Sequence, residues 1–202
     1  MHPNHQPFSF TTNNTIHTIL YIHGVMGSPI EFRQLVDHAE FPKVNYKAIL
    51  LPGHGGSRKQ FGKYKAQDWQ EQVFNEIEYH YQNNIVLILI GHSLGGLLTL
   101  QAAAKYPVAG MILINTALRT RFTISQMQLS LRVLFSSKDN LDPIISTYRK
   151  TFSICTKDWW TIPLWILRLI DVMQIAKQTE KLLPQVKSNF HIFQSVTDET
   201  VD

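Results

Sequence analysis

The chain has 202 residues, 44% of them hydrophobic and 17% charged, which supplies apolar surface for one packed core and excludes long disorder. Nineteen basic and fifteen acidic residues leave a net charge of +4. The basic residues are scattered along the chain, so no nucleic-acid patch is expected and the excess reads as a contribution to solubility. The single cysteine, Cys155, excludes an internal disulfide framework or a cysteine-rich zinc site and is read as a structural thiol. The apolar stretch nearest to a membrane span, Trp159 to Ile170, is interrupted by Pro163 and Arg168 and falls short of the roughly 20 residues required. Met1 to Phe10 lacks a basic region followed by an apolar run. The expected protein is soluble and cytoplasmic, without integral membrane association.

Residues 15 to 118 alternate between strand and helix periods, as in a mostly parallel sheet with helices on both faces. Ile16 to Ile22 predicts a strand ending at His23-Gly24. Ser28 as N-cap, Pro29 at the first helical position and Glu31 three residues after the cap predict a helix, with Phe32, Leu35 and Val36 on its inner face. Tyr46 to Leu51 predicts a short strand stopped by Pro52-Gly53. Asp68 is the expected cap of a helix that packs through Trp69, Val73, Ile77 and Tyr81. Ile85 to Ile90, six apolar residues in a row, predicts a central strand buried on both faces. A helix from Leu97 to about Lys105, ended by Pro107, and a strand over Gly110 to Asn115 follow. Thr120 to about Leu183 has helical spacing and no convincing strand. Asn189 to Val196 predicts the last strand.

A serine hydroxyl is a poor nucleophile at neutral pH, so a hydrolase must expose it, give it a base and stabilise the oxyanion its attack creates. Gly91-x-Ser93-x-Gly95 falls between the most apolar strand and a helix, the context in which this motif presents a nucleophile on a sharp turn. The N–H of Leu94, at the positive end of the following helix, is one expected oxyanion donor. The N–H of Val25, in the loop His23-Gly24-Val25-Met26-Gly27, is the other.

Three motifs in order, His23-Gly24-Val25-Met26-Gly27-Ser28-Pro29, Leu51-Pro52-Gly53-His54-Gly55-Gly56-Ser57 and Gly91-His92-Ser93-Leu94-Gly95-Gly96, carry a resemblance, and Asp68-Trp69 fits it. The chain resembles α/β-hydrolases, most closely small bacterial carboxylesterases and monoacylglycerol lipases of the serine-aminopeptidase-like group. The resemblance covers Thr15 to about Asn115 and, less closely, Leu182 to Asp202. It implies an α/β-hydrolase core over residues 1–118 and 186–202, a helical lid over 119–185, and hydrolysis of small acyl esters through an acyl-enzyme, with no metal or organic cofactor. It makes Asp198, just after the last predicted strand, the triad acid. It also implies an apolar acyl pocket lined by Met26, Phe122, Leu131, Leu134, Trp160, Leu164 and Trp165, suited to medium-chain acyl esters or monoacylglycerols.

The departure is the histidine. The family places its base on a loop after a further strand, yet none of the nine histidines follows Asp198. His23 and His54 read as structural, and His92 as pointing away from Ser93. The final strand and helix are therefore expected to be missing and the triad incomplete. The last strand would be an unprotected apolar edge open to self-association. The rival readings are a non-catalytic relative that binds an acyl ligand or a partner, a truncated gene product, and a peptidase or thioesterase on the same fold.

Overall fold

Residues 5–12, 15–38, 44–119, 142, 153–154 and 162–195 are described by the structure, a computed structural model. Its sheet grows outward from the two most apolar strands. β1 (Phe8–Phe10), β2 (His17–Ile22), β3 (Asn45–Ile49), β4 (Val86–His92), β5 (Gly110–Ile114) and β6 (Phe190–Phe193) lie in the order β1-β3-β2-β4-β5-β6. β1 is antiparallel to β3 and every other pair is parallel. β4 therefore has neighbours on both sides, as its unbroken apolar run requires.

The two sheet faces sort by residue parity. Leu20 and Ile22 of β2, Leu87 and Leu89 of β4, and Met111 and Leu113 of β5 pack on one face. That face is covered by α3 (Ala66–Gln82) through Trp69, Val73 and Ile77 and by α4 (Leu94–Lys105). Ile19, Tyr21, Ala48 and Ile90 form the opposite core with Phe32 and Val36, which come from a 3-10 turn (Pro29–Phe32) and α1 (Arg33–His38). Each such buried aliphatic or aromatic side chain contributes about 1.5–3 kcal/mol relative to exposure. α4 is buried continuously from Leu94 to Ala103, the character of a helix enclosed on all sides.

α2 (Arg58–Lys63) is short, and the Ser57 hydroxyl caps it by accepting from the Gln60 N–H. α5 (Ile162–Leu182) brings Val172, Ile175 and Ala176 into the core against α4. The Gln101 amide of α4 donates to the Ile175 carbonyl at 3.2 Å and to Thr179 Oγ1 at 3.0 Å. On the outer strand β6, Phe190, Ile192 and Phe193 are all exposed. Among the described residues no helix is long and apolar enough to cross a membrane.

Several local expectations are corrected. Ser28 does not cap its helix: its hydroxyl meets the buried His5 ring at 2.7 Å. Leu35 and Tyr81 are exposed rather than packed. Asp68 lies inside α3, three residues past its N-cap Lys65, and receives the Lys65 N–H at 2.6 Å. α4 begins at Leu94, three residues earlier than its apolar spacing predicts.

Candidate active site

β4 runs into α4 with a single residue, Ser93, at the join. Its backbone is forced to φ 51° and ψ −114°, a conformation that costs a non-glycine residue about 1–3 kcal/mol and persists only where its surroundings over-determine it. They do so here by backbone contact on three sides. The Ser93 N–H is held by the Ile114 carbonyl at 2.9 Å. A Cβ on Gly91 would stand 2.5 Å from the Gly95 carbonyl oxygen, and one on Gly95 would stand 1.9 Å from that of Ile22. Only glycine allows the turn to close this tightly against β2.

The β2 exit loop packs against that turn: a Cβ on Gly24 would be 3.2 Å from Ser93 Cβ. The loop's polar groups can be followed one by one. The Gly24 N–H goes to Glu31 Oε2, the Met26 N–H to His54 Nε2 at 3.1 Å, and the Gly27 N–H to the Gly24 carbonyl. Among the described residues the Val25 N–H has no partner. Its direction is set from behind, because the Gly24 carbonyl in the same planar peptide accepts from His23 Nδ1 at 2.8 Å and from the Gly27 N–H. In a trans peptide the N–H points opposite to the C=O. The N–H of Leu94, first residue of α4, has no intrahelical acceptor available.

His23 and His54 hold this loop onto the one after β3. His23 Nδ1 donates to the Gly24 carbonyl and its Nε2 accepts the Leu51 N–H at 3.0 Å. His54 Nδ1 donates to the Pro52 carbonyl and its Nε2 accepts the Met26 N–H. A carbonyl can only accept and a backbone N–H only donate, so both rings are neutral Nδ1–H tautomers with both nitrogens engaged. Burial is the main cause that pushes His54 down to about 4 and His23 well below its ordinary value; for His23 the neighbouring His54 adds to it. Phe61 and Trp69 pack edge-on and tilted against His54, and Trp69 Nε1 reaches the Pro52 carbonyl at 3.0 Å.

Met26, expected in the acyl pocket, is buried at φ 61°. Ser153 takes hold of it from the far side: its N–H and its hydroxyl both donate to the Met26 carbonyl, and its Oγ accepts the Gly55 N–H. Nothing in the sequence singled out Ser153, because a serine within a helical-looking insertion has no motif. Glu31 was also missed as a site residue, since its spacing from Ser28 suits a helix cap; instead its Oε2 meets His92 Nδ1 at 2.7 Å.

The structure thus packs the loop that carries Val25 against Ser93 and Leu94 through Gly24, and Met26 is buried in the same loop. Asp198, Phe122, Leu131, Leu134 and Trp160 lie outside the described residues, and of Leu164 and Trp165 only the place in α5 is described. Among the described residues no group of three or more histidine, cysteine, aspartate or glutamate side chains gathers as a metal-ligand set.

A sequence profile of the Alpha/beta hydrolase family matches residues 19–179. The thermostable monoacylglycerol lipase of Bacillus sp. (strain H-257) is 30% identical over 102 residues, which are 49% of this chain and 40% of that enzyme. The match therefore spans less than half the length of this curated relative. A solved structure from work on the metagenome-derived lipolytic enzymes LipS and LipT is similar with a TM-score of 0.69 and 22% identity, covering 99% of this chain and 79% of that one. The monoacylglycerol lipase of Paleococcus ferrophilus gives a TM-score of 0.62 at 18% identity, covering 92% and 75%. At these identities the two structural likenesses bear on the fold alone.

Proposed function

This chain belongs to the alpha/beta hydrolase family, and on that footing we propose that it is a serine hydrolase of carboxylic esters, of the carboxylesterase or monoacylglycerol lipase type. One observation carries the reading: a serine is held at φ 51° between an apolar strand and a helix N-terminus, against a glycine loop whose Val25 N–H is turned away from the partners of the Gly24 carbonyl in the same peptide. A surface turn has no use for a strained serine. A nucleophile does, because the turn lifts its hydroxyl clear of both flanking elements.

The chemistry follows from these positions. Ser93 Oγ attacks the ester carbonyl carbon, its proton passes to the histidine base that Asp198 would orient, a role to which none of the nine histidines of the given sequence is assigned, and the carbonyl π electrons move onto oxygen. The N–H groups of Val25 and Leu94 receive that oxyanion; one such donor is worth about 10²–10³ in kcat. Collapse of the tetrahedral intermediate breaks the bond to the alkoxy oxygen, which leaves as the alcohol with the proton. Water then repeats the sequence on the acyl-enzyme and releases the acid. His23 and His54 are not this base, since each already uses both ring nitrogens. The acyl chain is assigned to an apolar pocket of Met26, Phe122, Leu134, Trp160 and Trp165, which suits medium-chain acyl esters or monoacylglycerols; the Bacillus relative's substrate class supports this assignment.

The test is incubation of the chain with a fluorophosphonate probe and with p-nitrophenyl esters of graded acyl length. Labelling maps to the peptide containing Ser93 and disappears in Ser93→Ala, and turnover disappears with it. Turnover that survives Ser93→Ala would exclude the assignment.

A further inference from the structure

Glu31 sits where a helix-capping glutamate would sit, yet it caps nothing. Its side chain is 13% exposed, and a carboxylate so far removed from water needs strong partners. The partners it has come from the two segments the proposed reaction depends on. Oε2 receives the N–H of Gly24, the residue before Val25, at 3.3 Å, and His92 Nδ1, from the residue before Ser93, at 2.7 Å.

Two glycines make the room. A Cβ on Gly27 would stand 1.6 Å from Glu31 Oε1, and one on Gly24 would stand 3.2 Å from both His92 Nδ1 and Ser93 Cβ. The exit loop of β2 is thus wrapped around the carboxylate, with the imidazole wedged between it and the β4 exit. The Gly24 peptide units are fixed on both sides: their carbonyl by His23 and Gly27, their N–H by Glu31. The His92–Glu31 contact, charge-assisted and short, is the stronger of the two that Glu31 makes.

We propose that Glu31 and His92 are a positioning pair, in which the imidazole anchors the carboxylate and the carboxylate fixes the His23–Gly24 peptide, and through it the Gly24–Val25 peptide that follows, beside Ser93. The proposal rests on the assignment of Ser93 and Val25 made above.

A pair that works as one unit is non-additive. Glu31→Gln and His92→Ala are each expected to slow fluorophosphonate labelling of Ser93 and to lower kcat on p-nitrophenyl esters by on the order of 100-fold, the scale set by a misplacement of about 1 Å. KM stays within about twofold, because ground-state binding is untouched. The double variant is no slower than the slower single one. His92→Asn, whose side-chain amide nitrogen falls near the place of Nδ1 and can still donate to Glu31, recovers part of the rate. Hydrogen exchange at the Gly24 amide accelerates in both single variants while exchange in β4 and α4 is unchanged. Effects that multiply in the double variant, or rates unchanged in both single variants, overturn the proposal. A chain that does not label at Ser93 overturns the assignment of the nucleophile instead. The pair is then judged by Gly24 exchange alone, which accelerates if Glu31 and His92 hold the loop and stays the same if they do not.

Discussion

Acid is expected to loosen this protein through His54 in a way that can be worked out in advance. The folded chain keeps this ring neutral down to about pH 4, whereas in the unfolded chain it titrates near 6.5. Between those values the unfolded state binds a proton that the folded state refuses, so stability falls as pH is lowered from about 6.5 to about 4 and is fully present above that window. Two and a half pKa units correspond to about 3 kcal/mol, a large share of the roughly 5–15 kcal/mol by which domains are stable. His23, displaced in the same direction by burial and by His54, adds to the loss. Burial of the ring is the main reason, and a protonated Nε2 would in addition become a donor facing the Met26 N–H, itself a donor, at 3.1 Å. Urea unfolding of the wild type and of His54→Asn at closely spaced pH values measures this. The variant is less stable at pH 7, having lost the ring packed on Phe61 and Trp69, but its stability declines less steeply between pH 6.5 and 4. Equal slopes for the two proteins would refute the reasoning. So would an imidazole resonance of His54 that titrates near 6.5 by NMR.

Three further outcomes follow from the geometry. Ser93→Gly removes the strain of φ 51° and, against glycine's larger unfolded-state entropy, should raise stability by about 1 kcal/mol while abolishing probe labelling; a lower thermal midpoint than the wild type would show that the turn is unstrained. Gly95→Ala drives a Cβ to 1.9 Å from the Ile22 carbonyl oxygen, and because that oxygen is backbone the variant should be recovered mainly as insoluble protein; a soluble variant with an unchanged melting curve contradicts the packing described. Gln101→Ala strips α5 of two hydrogen bonds and leaves the Gln70 amide without its 2.7 Å acceptor. It should cost about 1–3 kcal/mol in urea unfolding, with hydrogen exchange quickening in α5 before β4.

The sheet was legible where burial dominates. β2, β4 and β5 are short segments dominated by β-branched and apolar residues that no helix period fits, and their boundaries shift by only a residue or two. β1 was not legible, since three residues near an end carry no periodicity and become a strand only because β3 offers an open edge. The start of α4 was hidden by Gly95-Gly96: each glycine costs a helix about 1 kcal/mol by propensity, and only the close approach to Ile22 and Thr116 explains why both are there. In the site, Ser93 and the Val25 loop could be read from glycine spacing, because glycine records where backbones must touch. The partners of those backbones could not. Glu31, His5 and Ser153 act across 61, 23 and 127 residues of sequence respectively, and a single sequence contains no signal for a hydrogen bond between distant segments.

The attachment of α5 to α4 has an evolutionary side. With Val172, Ile175 and Ala176 in the core and Gln101 gripping Ile175 and Thr179, both ends of the stretch between β5 and α5 are moored to the sheet. For a chain segment tied at both ends, doubling its length costs only about 0.6 kcal/mol in closure entropy. Descendants could lengthen or shorten that stretch on either side of Ser153, which holds the Met26 carbonyl, and the Ser93 turn would be left undisturbed.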